Sequence, residues 1–199
     1  MTIKSVLELA AAEPSQQADE LDSRIYECIG TLGDVTGLTC SMDAVRRWGK
    51  AGVIRPFESF EQAAESTKRG EISAFVVPCA YPALHTFIMD AELTTAEMFI
   101  RRIPALVLVG KTPVPAKVNT VFHHPATEPL LAEIGVSFER NQPVGSNVKA
   151  CEAALSTPDS LAITNMITAE HFNVQPIKIL RPGIEMPWLC FKRVSISMI

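Results

Sequence analysis

A helix N-terminus, a run of hydroxyl residues and a pair of arginines are the features of this sequence that could hold a small anion. Ser146 and Asn147 stand at the start of a helical stretch, where backbone N–H groups without a helical acceptor favour negative charge. Thr36 to Thr39 could form a similar cradle, and Thr164-Asn165 directly follow an apolar strand. Arg101 and Arg102 carry the planar fork that suits carboxylates. Each feature also has a structural reading. Ser146 and Asn147 are good helix caps in any protein, worth about 1 kcal/mol. Tyr81 after a strand end reads as a packed aromatic, and Cys79 as a small buried hydrophobe. The adjacent His123-His124 lack a third ligand at metal spacing, so no metal site is assigned. Residue types alone give none of these positions a role.

The elements that must position them follow an α/β rhythm punctuated by glycine and proline. A helix over Ser5–Ala12 and a polar stretch Glu13–Ser23 precede a strand over Tyr26–Leu32. A helix over Ser41–Gly49 capped by Ser41, a strand over Val53–Phe57 and a helix over Ser59–Gly70 capped by Ser59 come next. Ala74–Val77 reads as a buried strand and Cys79–Asp90 as an irregular apolar segment. Ligand sites in open parallel sheets lie beyond the carboxyl ends of strands, so that segment is the first place to seek a site. Met98–Leu108 reads as one strand-like run, and Lys111–Lys117 as a proline-rich loop. Strands over Thr120–Phe122, Val136–Arg140, Ser160–Ile163 and Gln175–Leu180 alternate with helices over Thr127–Ile134, Asn147–Leu155 and Asn165–Phe172. The last strand, Trp188–Arg193, rejoins the first half. The pattern predicts two α/β lobes with a cleft between them.

Bulk composition narrows the function classes. The chain has 199 residues, a formal charge of −4 and a hydrophobic fraction of 47%, which fits a folded globule rather than a disordered chain. The acidic balance argues against nucleic acid, and no apolar run is long enough to span a bilayer. Cys28, Cys40, Cys79, Cys151 and Cys190 are odd in number and widely spaced, which predicts reduced thiols. The N-terminus lacks the uninterrupted apolar segment of a secretory signal, so the expected location is the cytoplasm.

Several runs carry a family resemblance in order and spacing from about Ile29 to Arg193. They are Phe57-Glu58-Ser59-Phe60, Gly70-Glu71, Val76-Val77-Pro78, Thr120 to Pro125, Ser146 to Ala150, Ala162 to Asn165 and Ala169 to Phe172. Together they resemble the catalytic domain of prephenate dehydratases. Val77-Pro78-Cys79-Ala80-Tyr81, His124-Pro125 and Thr164-Asn165 followed by Met186-Pro187-Trp188 resemble most closely the non-aromatising prephenate decarboxylases of the bacilysin-pathway type. The sequence departs from dehydratases in three places. Gly33 to Thr39 replace a G-P-E-G-T-like loop, Ala80-Tyr81-Pro82 replace E-N-S, and Met186-Pro187-Trp188 replace T-R-F. It departs from the decarboxylases at Cys79, where they carry a histidine, and at His85-Thr86, where they carry Lys-His.

The resemblance implies a two-lobed type II periplasmic-binding-protein-like fold. It implies an N-terminal extension over 1–24 and a catalytic domain over 25–199, without a regulatory amino-acid-sensing domain. Lobe one would span about 25–100 plus 181–199, and lobe two about 101–180. The implied activity is cofactor-independent decarboxylation of prephenate without aromatisation. Prephenate dehydration to phenylpyruvate and non-catalytic binding of a small anion stay open. On this reading Tyr81, assisted by His85, gives a proton to the ring. Arg102, Thr39, Ser146, Asn147, Thr164, Asn165 and Cys79 hold the substrate. The expected partner is a small dianion, with no nucleic acid, no membrane and room for a homodimer.

Overall fold

The computed structural model describes residues 26–111 and 117–195. The N-terminal extension, with its expected helix, and most of the proline-rich loop lie outside the described residues. Two five-stranded mixed sheets organise the chain. The first contains β1 (Tyr26–Leu32), β2 (Ala51–Phe57), β3 (Ala74–Pro78), β4 (Leu93–Ile103) and β10 (Ile184–Arg193), in the order β2-β1-β3-β10-β4. The second contains β5 (Leu106–Gly110), β6 (Val118–His123), β7 (Phe138–Pro143), β8 (Ser160–Asn165) and β9 (Lys178–Arg181), in the order β7-β6-β8-β5-β9. The architecture is the two-lobed α/β fold that the sequence predicts. The chain crosses between lobes at Pro104-Ala105 and returns at Pro182-Gly183.

The strands are where their composition requires. β3 and β8 sit inside their sheets, and their apolar runs are covered on both faces by helices. β10 alternates. Trp188 and Cys190 join Val45 and Trp48 of helix α1 (Cys40–Trp48), whereas Phe191 joins Phe60 and Ala63 of α2 (Phe60–Lys68). In the second lobe Leu108, Val121 and Ile163 pack against the 3-10 segment Pro125–Glu133. Val107, Phe122 and Ala162 pack against α4 (Asn147–Ser156) on the other face.

Pro187 lies within β10, a central strand, where proline normally breaks a ladder. Its carbonyl accepts the Cys79 N–H at 2.9 Å, so its missing N–H faces the point where β3 stops after Pro78. The Cys79–Pro187 pair thus keeps one of its two possible ladder bonds, at the end of the β3 pairing. At the return crossover Gly183 has φ +130, and a Cβ on it would meet Arg102 Nε at 2.6 Å. The return therefore requires glycine.

Four local expectations change. Thr39, not Ser41, caps α1, its hydroxyl accepting the Met42 N–H at 3.2 Å. The Met98–Leu108 run divides into β4 and β5, because Pro104 cannot continue the ladder and the chain changes sheets there. The segment after β3 contains a short helix α3 (Leu84–Ile88). The expected helix over Thr127–Ile134 is a 3-10 segment with Pro129 inside it, since proline removes an α-type hydrogen bond.

Candidate active site

The lobes enclose a cleft of about 480 Å³ lined from both sides. Two helix N-termini meet in it. Thr39, Cys40 and Ser41 come from α1 in the first lobe, and Ser146 and Asn147 from α4 in the second. Ser146 caps α4 by accepting the Lys149 N–H at 3.1 Å. The caps leave the N–H groups of Ser41, Asn147 and Val148 without a helical acceptor, and α1 and α4 both direct the positive end of their dipole at the same space. The Asn147 and Asn165 carboxamides reach the Cys40 sulfur across the lobes. Burial, then the nearby Asp43 charge, push the Cys40 thiol up to about 12 against those two hydrogen bonds, so it stays a neutral thiol.

The first lobe supplies an apolar wall from Leu32, Phe60, Pro78, Tyr81, Met186 and Trp188. Among the described residues lining the cleft there is no Lys, Arg, Asp or Glu. Tyr81 lies edge-on to Phe60, ring centroids 4.8 Å apart, and its hydroxyl donates to Glu61 Oε1 at 2.5 Å. Burial first, and the Glu61 carboxylate second, hold the phenol up at about 12.

His124 closes the second-lobe side as the cap of the 3-10 segment. Its Nδ1 accepts the Ala126 N–H at 3.2 Å, which fixes the neutral ring's proton on Nε2. Burial, then the neighbouring His123, hold its pKa below the usual histidine value.

Of the nine sequence-derived site residues, Tyr81, Thr39, Ser146 and Asn147 line this cleft. Asn165 is fully buried behind it, capping α5 (Met166–His171) through Oδ1 and donating through Nδ2 to Leu38 O at 3.0 Å. Thr164 is also fully buried, and its hydroxyl donates to Asn147 O at 2.7 Å, which steadies the start of α4. The other three do not line the cleft. His85 is exposed on α3. Arg102 is exposed at the end of β4, where its Nη2 reaches Pro182 O at 3.4 Å. Cys79 is half-buried at the end of β3 and is skipped between the lining residues Pro78 and Ala80. The Thr36 hydroxyl and N–H both turn to Asp34, so the Thr36–Thr39 cradle reduces to Thr39.

Sequence reasoning passed over Cys40 and His124. Thr39-Cys40 before an amphipathic run and His124 before Pro125 are both helix-start signals that place a side chain beside open N–H groups.

No family model matches the chain, and none of the curated proteins matches it. Solved structures do. The chain is similar to a prephenate dehydratase from Arthrobacter aurescens in complex with L-Phe, at 17% identity and TM-score 0.63, over 84% of this chain and 61% of that one. It is similar to GqqA, described as a novel type of quorum quenching acylase, at 15% identity and TM-score 0.60, over 87% and 66%. It is also similar to the methionine-binding protein MetQ, at 12% identity and TM-score 0.53, over 84% and 82%. The chain spans about two thirds or less of the length of the dehydratase and the acylase. At these identities the likeness shows the fold, a two-lobed α/β scaffold common to prephenate dehydratases and periplasmic binding proteins.

Proposed function

We propose that this protein decarboxylates prephenate, a cyclohexadiene bearing a ring carboxylate, a pyruvyl arm and a ring alcohol, and leaves the alcohol in place. The observation that carries the reading is the charge deficit of the cleft. A helix N-terminus presents roughly half a positive charge, so two together offset about one carboxylate. Prephenate brings two, no Lys or Arg lies among the described lining residues to offset the second, and burial favours the neutral form of the lining His124.

The pyruvyl carboxylate takes the N–H groups of Ser41, Asn147 and Val148. The ring packs on Phe60, Tyr81 and Trp188, and the ring carboxylate is left in apolar surroundings. A carboxylate stripped of water is destabilised relative to the charge-delocalised state in which its bond to the ring breaks. Carbon dioxide leaves, its electron pair enters the diene, and a ring carbon takes one proton. That balance needs no oxidant or reductant.

We assign the proton to His124, whose imidazolium forms when Nδ1 takes up a proton and gives up the Ala126 bond. Its ring is on the cleft wall and its Nε2 is free of the Ala126 bond, whereas the Tyr81 proton is held by Glu61. A positioned acid of this kind contributes about 10²–10⁴-fold. Aromatisation would instead put the proton on the alcohol oxygen, so that the electron pair expels water, and no carboxylic acid lies among the described lining residues to supply it there. The test is product analysis after incubation with prephenate: a product that has lost carbon dioxide but kept its oxygen supports the reading, and phenylpyruvate as the main product refutes it.

Reversible binding of a small carboxylate without turnover is the second reading, favoured by the bond that ties up the Tyr81 proton. Thermal stabilisation by prephenate with no product formed would select it.

A further inference from the structure

Four buried side-chain polar atoms among the described residues have no hydrogen-bond partner: His123 Nε2, Asn147 Oδ1, Thr168 Oγ1 and Trp188 Nε1. Trp188 is the case that points to a ligand. The residue is 1% exposed yet lines the cleft. It faces Pro78 across the β3–β10 ladder and follows Pro187, so the two neighbouring backbone positions at this corner carry no N–H and are flanked by apolar side chains. Its ring lies parallel to Phe99, centroids 6.3 Å apart, in a cluster with Val76 and Trp48. No group of that cluster accepts the Trp188 indole N–H. An orphaned buried donor is destabilising, and an apolar residue of similar size would avoid that cost. An acceptor arriving with the ligand removes it.

We propose that the Trp188 indole N–H is a specificity-determining donor that binds the oxygen of the substrate's ring alcohol. This rests on the decarboxylase reading and deepens it. The carboxylates are excluded as its partner on the charge argument, since one is held by the helix N-termini and the other must stay unpaired to leave. The alcohol oxygen is the remaining acceptor on the ring. Indole is a donor only. It holds its proton far too tightly to transfer it to a leaving hydroxyl, so it orients the alcohol without expelling it. The carbon–oxygen bond survives while the carbon–carbon bond to the carboxylate breaks and the proton goes to ring carbon.

The test uses the full chain labelled with nitrogen-15. Trp48 and Trp188 are its 2 tryptophans, so the spectrum contains two indole N–H signals, assigned by Trp188→Phe. Saturating prephenate is expected to move the Trp188 signal downfield and leave that of Trp48 in place. Phenylpyruvate, which has the same pyruvyl arm but no ring alcohol, is expected to shift the Ser41 and Asn147 amides and leave Trp188 unmoved. Trp188→Phe is expected to raise KM for prephenate about tenfold, the size of one lost hydrogen bond, with a smaller change in kcat. An unmoved Trp188 signal when prephenate shifts the Ser41 and Asn147 amides overturns the assignment and leaves the decarboxylase reading standing. Equal Trp188 shifts with both compounds also overturn it, because the donor would then meet the pyruvyl arm. No shift anywhere with prephenate overturns both.

Discussion

The Asn165 carboxamide nitrogen donates to the Leu38 carbonyl at 3.0 Å and ties the second lobe to the loop that leads into α1. The same side chain caps α5, accepting the Thr168 N–H at 2.8 Å. One buried residue thus fixes both a helix and the closure of the cleft.

Asn165→Asp keeps an acceptor for Thr168 but aims a carboxylate at the Leu38 carbonyl. Denaturant unfolding is expected to show a loss of about 1–3 kcal/mol. Hydrogen exchange should rise at Thr39 and Cys40, because α1 loses its tether to the other lobe. Unchanged protection there would mean that the bond does not hold the lobes together.

Thr39→Ala and Ser146→Ala each remove a helix cap that also sets the cleft's open N–H groups. Each is expected to cost about 1 kcal/mol of stability. Affinity for phenylpyruvate, measured by calorimetry, should fall in both variants. A stability loss with affinity intact would separate the caps from anion binding.

Glu61→Gln removes the carboxylate that accepts the Tyr81 proton. The Tyr81 phenol should titrate below its present value of about 12 but above the ordinary 10.0, because burial is the larger cause of its rise. Since the folded value is the higher one, this group's stabilisation is complete below the unfolded value and is lost as pH rises through the folded one. Glu61→Gln should therefore show a smaller stability loss at high pH, read from melting temperatures across the alkaline range.

His124 has the opposite sign. Its folded pKa lies below the ordinary value of 6.5, so its contribution to stability is present above that pH and is lost as pH falls through the folded value. Turnover should run the other way, rising as pH falls and the imidazolium forms. His124→Gln is expected to remove that rise and to lower kcat by about 10²–10⁴-fold. A pH profile unchanged in the variant would assign the proton to another group.

Much of the scaffold was legible from local chemistry. Ser59 and Gly70 bound α2 as a cap and a stop should, and the apolar run before Pro78 is the buried strand that its composition predicts. The return of the last strand to the first sheet was also legible, in the pairing of Trp188 to Phe191 with β3. The break between β4 and β5 was not, because an apolar run looks the same whether it stays in one sheet or crosses between two. The site was less legible than the fold. Arginine beside a crossover suggested an anion contact, but Arg102 spends its guanidinium on the backbone of the return crossover. Cys79 follows the strand that points at the cleft, yet Cys40 is the thiol that reaches it. The contacts of Cys40 with Asn147 and Asn165 join distant parts of the chain, and no local pattern encodes them.

Mass analysis of the product formed from prephenate tests the central claim most directly. The expected product has lost carbon dioxide alone and is a dihydro-4-hydroxyphenylpyruvate without the absorbance of an aromatic ring. Loss of carbon dioxide together with water, giving phenylpyruvate, would contradict it, because the cleft would then have delivered a proton to the alcohol oxygen instead of a ring carbon.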